Sequence, residues 1–277
     1  MPGRTRKLHP GRIDQRAMTA NLLRTAVALA LLQALPALAA QCSARSGPHT
    51  AALVELYTSE GCDSCPPADR WLSSLGSRGH APDRLVPIAL HVDYWDYIGW
   101  KDPYARALFS SRQRRLAQVM RAKIVYTPQV LLQGEDFRRW HTPAFDEAVA
   151  RINARPGRAR IELMLERASG GYFPVDARVE VLEPSQSAEA GLYLAAYENK
   201  LVSAVGAGEN RGKTLMHDYV AFEWVGPLAP GPDGRLSVRK ALPLLPQAVA
   251  ANSGVIAFVQ NRATAEVLQA LMLPACP

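Results

Sequence analysis

The chain has 277 residues, of which 48% are hydrophobic, with 32 lysines and arginines, 25 aspartates and glutamates, and four cysteines. Its formal charge of +7 is unevenly placed, because residues 1–40 hold six basic residues (Arg4, Arg6, Lys7, Arg12, Arg16, Arg24) and one acid, Asp14. Beyond residue 40 only about +2 remains, and with no finger spacing, phosphate loop or basic-aromatic ladder, nucleic-acid binding has no support.

Residues 1–40 read as a leader. Arg24 precedes an apolar stretch at 25–35, and Ala37-Leu38-Ala39 is a small-x-small cleavage site. The apolar core is too short, at roughly a dozen residues, for a permanent transmembrane helix. A start at Met18 gives a more ordinary leader. A buried N-terminal helix is the competing reading, and a lipid anchor on Cys42 is disfavoured by the preceding Gln41. The mature protein is therefore expected in the periplasm or secreted.

From 41 to 156, strand and helix signatures alternate. Residues 53–58 read as a strand ending at Ser59-Glu60-Gly61, where glycine permits a tight turn. Residues 68–75 read as a helix with Ala68, Trp71, Leu72 and Leu75 on one face. A buried strand is expected at 85–92, then a long helix at 103–120 with Tyr104, Leu108, Leu116 and Met120 sharing a face. On that helix Arg112, Arg114 and Arg115 read as the wet side. A strand at 129–132 leads into the hairpin turn Gln133-Gly134-Glu135-Asp136. A helix at 143–152 has Thr142 as N-cap and Pro143 at its first position. This alternation argues for an α/β layer.

After Arg155-Pro156-Gly157-Arg158 the apolar period becomes two, as in Ile161, Leu163, Leu165 and in Leu192, Leu194, Ala196. Residues 157–277 are expected to form a packed, sandwich-like β-rich domain. His217-Asp218 reads as a structural pair on one of its strands, and 267–271 as a short helix or a last strand.

In an oxidising compartment the economical pairing of the cysteines is Cys62 with Cys65 and Cys42 with Cys276. The long bridge closes a loop of roughly 235 residues, which the chain-entropy account values at no more than about 5 kcal/mol. Cys62-Asp63-Ser64-Cys65 stands where a strand meets a helix, and can be a redox catalyst, a metal clamp or a staple. As a catalyst, Cys62 is the nucleophile, its thiol acidified by helix N–H groups, and Cys65 is the resolving thiol. Pro66 and Pro67 cannot donate backbone hydrogen bonds and must occupy the first helical turn.

Thr127-Pro128 is the second candidate piece. A cis Pro128 beside the pair leaves Thr127 to offer backbone hydrogen bonds to a bound chain, whereas a trans proline at a strand start is the plain alternative. The third is the aromatic and acidic segment from His91 to Pro103, a pocket rim or an interface seal. His91 and Asp93 are candidate proton-handling groups. Cys62, Cys65 and His91 are alternatively candidate copper(I) ligands.

The segments Val54-Glu55-Leu56-Tyr57-Thr58-Ser59-Glu60-Gly61-Cys62-Asp63-Ser64-Cys65-Pro66-Pro67-Ala68-Asp69, His91-Val92-Asp93-Tyr94-Trp95-Asp96, Tyr126-Thr127-Pro128-Gln129 and Gly212-Lys213-Thr214-Leu215-Met216-His217-Asp218-Tyr219-Val220 resemble the DUF1223 family of exported bacterial proteins. The resemblance implies a thioredoxin-like domain followed by a β-rich domain, with Cys62 and Cys65 at the redox positions and Pro128 at the cis-proline position. It supplies no activity. The site design itself points to a thiol-disulfide oxidoreductase acting on exported protein thiols or disulfides without a cofactor. The alternative is a copper(I)-binding or protein-interaction module whose cysteine bridge is structural.

Overall fold

The structure, a computed structural model, describes residue 3 and residues 41–276. The leader, start and cleavage expectations for residues 1–40 lie outside the described residues.

In chain order the first half contains β1 (Gln41–Arg45), β2 (Ala52–Thr58), α1 (Pro66–Ser74), β3 (Leu85–His91), α2 (Ala107–Val119), β4 (Gln129–Leu132), β5 (Glu135–Asp136) and α3 (Ala144–Asn153). The second half contains β6 (Ala159–Glu166), β7 (Tyr172–Val181), the single turn α4 (Pro184–Ser187), β8 (Ala190–Glu198), β9 (Leu201–Ala204) and β10 (Thr214–His217). It ends with β11 (Val220–Leu228), β12 (Arg235–Pro243), β13 (Ser253–Asn261) and β14 (Val267–Pro274).

Among the described residues these strands form three sheets. One has eight strands in the order β14-β13-β8-β11-β3-β2-β4-β5, one has the order β1-β6-β7-β12, and β9 and β10 pair only with each other. β2 is parallel to β3 and antiparallel to β4, with Tyr57 opposite Gln129.

This architecture overturns the expected fold class, an α/β thioredoxin-like domain followed by a β-rich domain. The structure is mostly β-sheet, and β2 to β5 do not make a sheet of their own. β3 pairs in parallel with β11 through Ala89 and Val220, and β11 pairs in turn with β8. The physical reason is that β3 is buried along its whole length. Such a strand takes a neighbour on each side, and strand-helix alternation along a sequence does not say which neighbour that is.

Burial on both faces follows from the period-two pattern. On one face of the eight-stranded sheet, Ala52, Val54 and Leu56 of β2 and Leu85 and Ala89 of β3 pack under Trp71 and Leu72 of α1 and Phe145 and Val149 of α3. On the other, Leu53, Tyr57, Val86 and Ile88 join Phe109 and Leu116 of α2 and also Tyr193, Ile256 and Phe258 from β8 and β13. A third core fills the space between β6 and β7 and the inner faces of β8, β13 and β14.

Several local expectations also change. α2 starts at Ala107 and buries Phe109, Arg112, Gln113 and Leu116, a helical stripe that leaves Leu108 exposed. Arg112 is therefore not on the wet side. Its Nε and one terminal nitrogen donate to the two carboxylate oxygens of Glu55 at 2.8 and 3.0 Å, beneath Tyr193, Trp224 and Phe258. Thr142 does not cap α3, because its hydroxyl bonds the Arg139 carbonyl oxygen. The run at 267–271 belongs to a strand.

Candidate functional site

β2 brings the chain to Thr58 at one end of the large sheet, and the Ser59 carbonyl oxygen then accepts from the Cys62 N–H at 3.2 Å. Gly61 is required by what lies over this turn. A Cβ there would stand 3.1 Å from Trp95 Cβ and 3.2 Å from Ile98 Cδ1. The Cys65 carbonyl oxygen accepts from Ala68 and Asp69 N–H groups at 2.9 and 3.1 Å, which starts α1 with Pro66 and Pro67 in its first turn. Cys62 and Cys65 are disulfide-bonded with Cα atoms 5.5 Å apart, and Cys42 is bonded to Cys276.

Both cysteines of the pair are shielded from solvent, Cys62 being 1% exposed and Cys65 0%. The cover has two parts. One is the aromatic segment: Trp95 Nε1 donates to Thr127 Oγ1 at 2.7 Å, and Trp100 Nε1 donates to Glu60 Oε2 at 2.7 Å. The other is the connection between β9 and β10. Asn210 Nδ2 donates to the carbonyl oxygens of Glu60 and Cys62, both at 2.8 Å, and the Asp63 N–H donates to Glu209 at 3.0 Å. The Thr127-Pro128 bond is cis and directly precedes β4, whose first residue Gln129 lies opposite Tyr57.

Behind the pair lies a buried polar cluster. Thr58 and His91 are partners across β2 and β3, and the alternation of both strands directs them to the α1 side. α1 packs against β10, which ends at His217. Asp69, one turn after Cys65 on the same helix, is buried beside Thr58, His217 and His91. His91 Nδ1 and Asp102 Oδ2 are hydrogen-bonded at 2.7 Å, and the same oxygen accepts from the Glu60 N–H at 2.8 Å. His217 Nε2 is bonded to Glu60 Oε1 at 3.1 Å, and the two imidazoles meet edge-on with centroids 4.9 Å apart.

The charges in this cluster are coupled. Burial pushes the Asp69 carboxyl above the usual carboxylate range, against the opposing pull of His217, His91 and the nearby Thr58 hydroxyl. Burial disfavours the charged form of His91, but Asp102, Asp69 and Glu60 together outweigh it and raise the imidazole pKa. Burial likewise works to raise Asp102, and His91 with the Glu60 and Tyr104 N–H groups brings it below its ordinary value. His91 Nε2 and His217 Nδ1 are buried here with no hydrogen-bond partner in the protein, and the Thr58 hydroxyl faces the Asp69 carboxyl without a hydrogen bond of ordinary geometry.

Of the candidate residues named from sequence, Cys62 and Cys65 are bonded to each other, Thr127 is tied to the covering Trp95, and His91 reaches the turn through Asp102 and the Glu60 N–H. Asp93 is turned elsewhere, with its N–H and carboxylate both engaged by the Ser110 hydroxyl of α2. His217, assigned a structural place on a distant strand, is inside the cluster, and Glu60, Asp69, Asp102 and Asn210 went unrecognised. The available signals were Glu60 directly before the turn glycine and His217 within a segment shared with the family. Among the described residues no group of three or more His, Cys, Asp or Glu side chains is arranged to hold a metal ion. Among the same residues no helix is long and apolar enough to cross a membrane.

The family model described as a protein of unknown function, DUF1223, matches residues 53–260, which span every element of this site. The chain belongs to the DUF1223 family. No curated protein matches it. Among solved structures it is similar to a crystal structure of an Agrobacterium tumefaciens protein, at 22% identity and a TM-score of 0.57, covering 82% of this chain and 96% of that one. It is also similar to HBP35 of Porphyromonas gingivalis, at 16% identity and a TM-score of 0.60, covering 83% of this chain and 76% of that one. These likenesses concern the fold.

Proposed function

We propose that this DUF1223 protein is an exported thiol-disulfide oxidoreductase working through Cys62 and Cys65. The observation that carries the reading is a disulfide across three residues at the junction of β2 and α1, with Cys65 as the residue that opens the helix. The two closed bridges favour an oxidising compartment such as the periplasm. In the oxidising direction a substrate thiolate attacks Cys62, Cys65 leaves as the thiolate, and a second substrate thiol resolves the mixed disulfide. In the reducing direction the Cys62 thiolate attacks a substrate disulfide and Cys65 releases the product. Pro128 and the Thr127 backbone are assigned to holding the substrate chain, with His91 as an auxiliary proton-handling group.

The burial of both sulfurs favours a second reading, in which the bridge is a staple inside a protein-interaction module. Titration against a glutathione series separates the two. Reversible opening, with mixed disulfides accumulating in Cys65→Ala but not in Cys62→Ala, supports the oxidoreductase. A bridge that stays closed until the protein unfolds overturns it.

A further inference from the structure

A buried sulfur raises a proton problem. When the disulfide opens, two electrons enter it, the S–S bond breaks, and Cys65 holds a new lone pair where almost no solvent reaches it. An unpaired buried thiolate is disfavoured, so a proton donor beside Cys65 would ease the opening. Asp69 lies one helical turn beyond Cys65, its N–H bonded to the Cys65 carbonyl oxygen at 3.1 Å. Residues so spaced share one helix face, with Cβ atoms about 5–6 Å apart.

Around Asp69 the polar groups are not those of a finished structural network. His91 Nε2 and His217 Nδ1 are buried and unpaired within the protein, and the Thr58 hydroxyl and Asp69 carboxyl face each other without a hydrogen bond of ordinary geometry. Each such group opposes folding, and native interiors retain few of them without a use. The charged and titratable groups facing Asp69 come from every neighbouring element: His91 from β3, His217 from β10, and Asp102 from the segment before α2. Glu60 in the cysteine turn is bonded to His217, and Tyr104 lies edge-on to both imidazoles.

We propose that Asp69 is the internal acid-base group for Cys65, delivering a proton to its sulfur when the disulfide opens and taking it back when it closes. This rests on the oxidoreductase reading above. With a dithiol substrate the balance is complete. The first substrate thiolate bonds to Cys62, the S–S electron pair goes to Cys65, and the Asp69 carboxyl protonates Cys65 and becomes a carboxylate. The second substrate thiol displaces Cys62, closing the substrate disulfide. The two protons lost by the substrate end on Cys62 and, by way of Asp69, on Cys65. A carboxyl pushed up by burial stays protonated further toward neutral pH, which suits a donor.

The test uses the full mature chain and Asp69→Asn, with dithiothreitol as reductant from pH 5.5 to 9. Thiolate supply is the same for both proteins, so the ratio of their reduction rates isolates the internal acid. We expect Asp69→Asn to be reduced about tenfold more slowly at acidic pH, with the gap closing as pH rises. In the reduced wild type, isotope-labelled Cys65 should titrate in two coupled steps that become one in Asp69→Asn. Superimposable rate profiles, or a single-step Cys65 titration in the wild type, overturn the proposal while leaving the redox reading intact. A wild-type bridge that dithiothreitol never opens in the folded protein overturns both. If Asp69→Asn does not fold, the wild-type titration decides alone.

Discussion

Asn210 holds the Cys62 carbonyl oxygen from Nδ2 at 2.8 Å, although the two residues are 148 positions apart. The same amide grips the Glu60 carbonyl oxygen, and Lys213 in turn donates to Asn210 Oδ1 at 2.8 Å. One side chain thus ties the connection between β9 and β10 onto the cysteine turn.

Asn210→Ala is expected to loosen that cover. Two buried carbonyl oxygens lose a donor, and such losses are valued at about 1–3 kcal/mol. If opening of the cover limits access to Cys62, reduction by dithiothreitol should quicken by roughly tenfold or more. Stopped-flow reduction with a fluorescent readout from Trp95 or Trp100 checks this, and an unchanged rate places the barrier elsewhere.

The Glu55 and Arg112 side chains are 1% and 4% exposed, so their pairing predicts an asymmetry. Arg112→Met alone strands a buried carboxylate and should destabilise the protein by about 3–5 kcal/mol in urea unfolding. The double variant Glu55→Gln, Arg112→Met should lose less than Arg112→Met alone.

The pH dependence of stability has a defined sign at His91 and Asp102. The raised His91 pKa gives a contribution complete below its reference value of 6.5 and lost as pH rises through the folded value. The lowered Asp102 pKa gives a contribution present above 3.8 and lost as pH falls through its folded value. Asp69, with a raised carboxyl pKa, adds stability in acid that fades as pH rises from 3.8 through its folded value. Urea unfolding at fixed pH steps should therefore show a decline above neutrality that is weaker in His91→Phe than in the wild type.

Replacing Cys42 and Cys276 by serine should lower stability without abolishing redox titration of Cys62 and Cys65. The long bridge spans 234 positions, and native disulfides of this kind contribute about 2–5 kcal/mol. Chemical unfolding measures the loss, and the glutathione titration measures what persists.

The local elements near the cysteines were legible because their causes are local. The apolar run before Ser59 gives β2, and Pro66 and Pro67 define where α1 can begin. Arg112 was misread because a run of arginines on one helix resembles a solvated face, while its partner Glu55 lies 57 positions earlier. The same limit hid the polar cluster. Asp69, Asp102 and His217 are ordinary residue types in isolation, and only the packing of α1, β3 and β10 gathers them. The expected fold class failed at Val220 and Ala89, where two strands that look independent in sequence become neighbours.

That neighbourhood also fixes what can be cut away. A fragment ending at residue 156 would retain the cysteine pair, the cis Thr127-Pro128 bond and His91, and would lose β11. The Ala89 N–H, which donates to the Tyr219 carbonyl oxygen, would then lose its partner and the flank of an apolar strand would be uncovered, a template for aggregation. It would also lose His217 and Asn210, and with them part of the buried cluster and the clasp on Cys62. The chemistry of the N-terminal half is thus inseparable from the strands encoded after it.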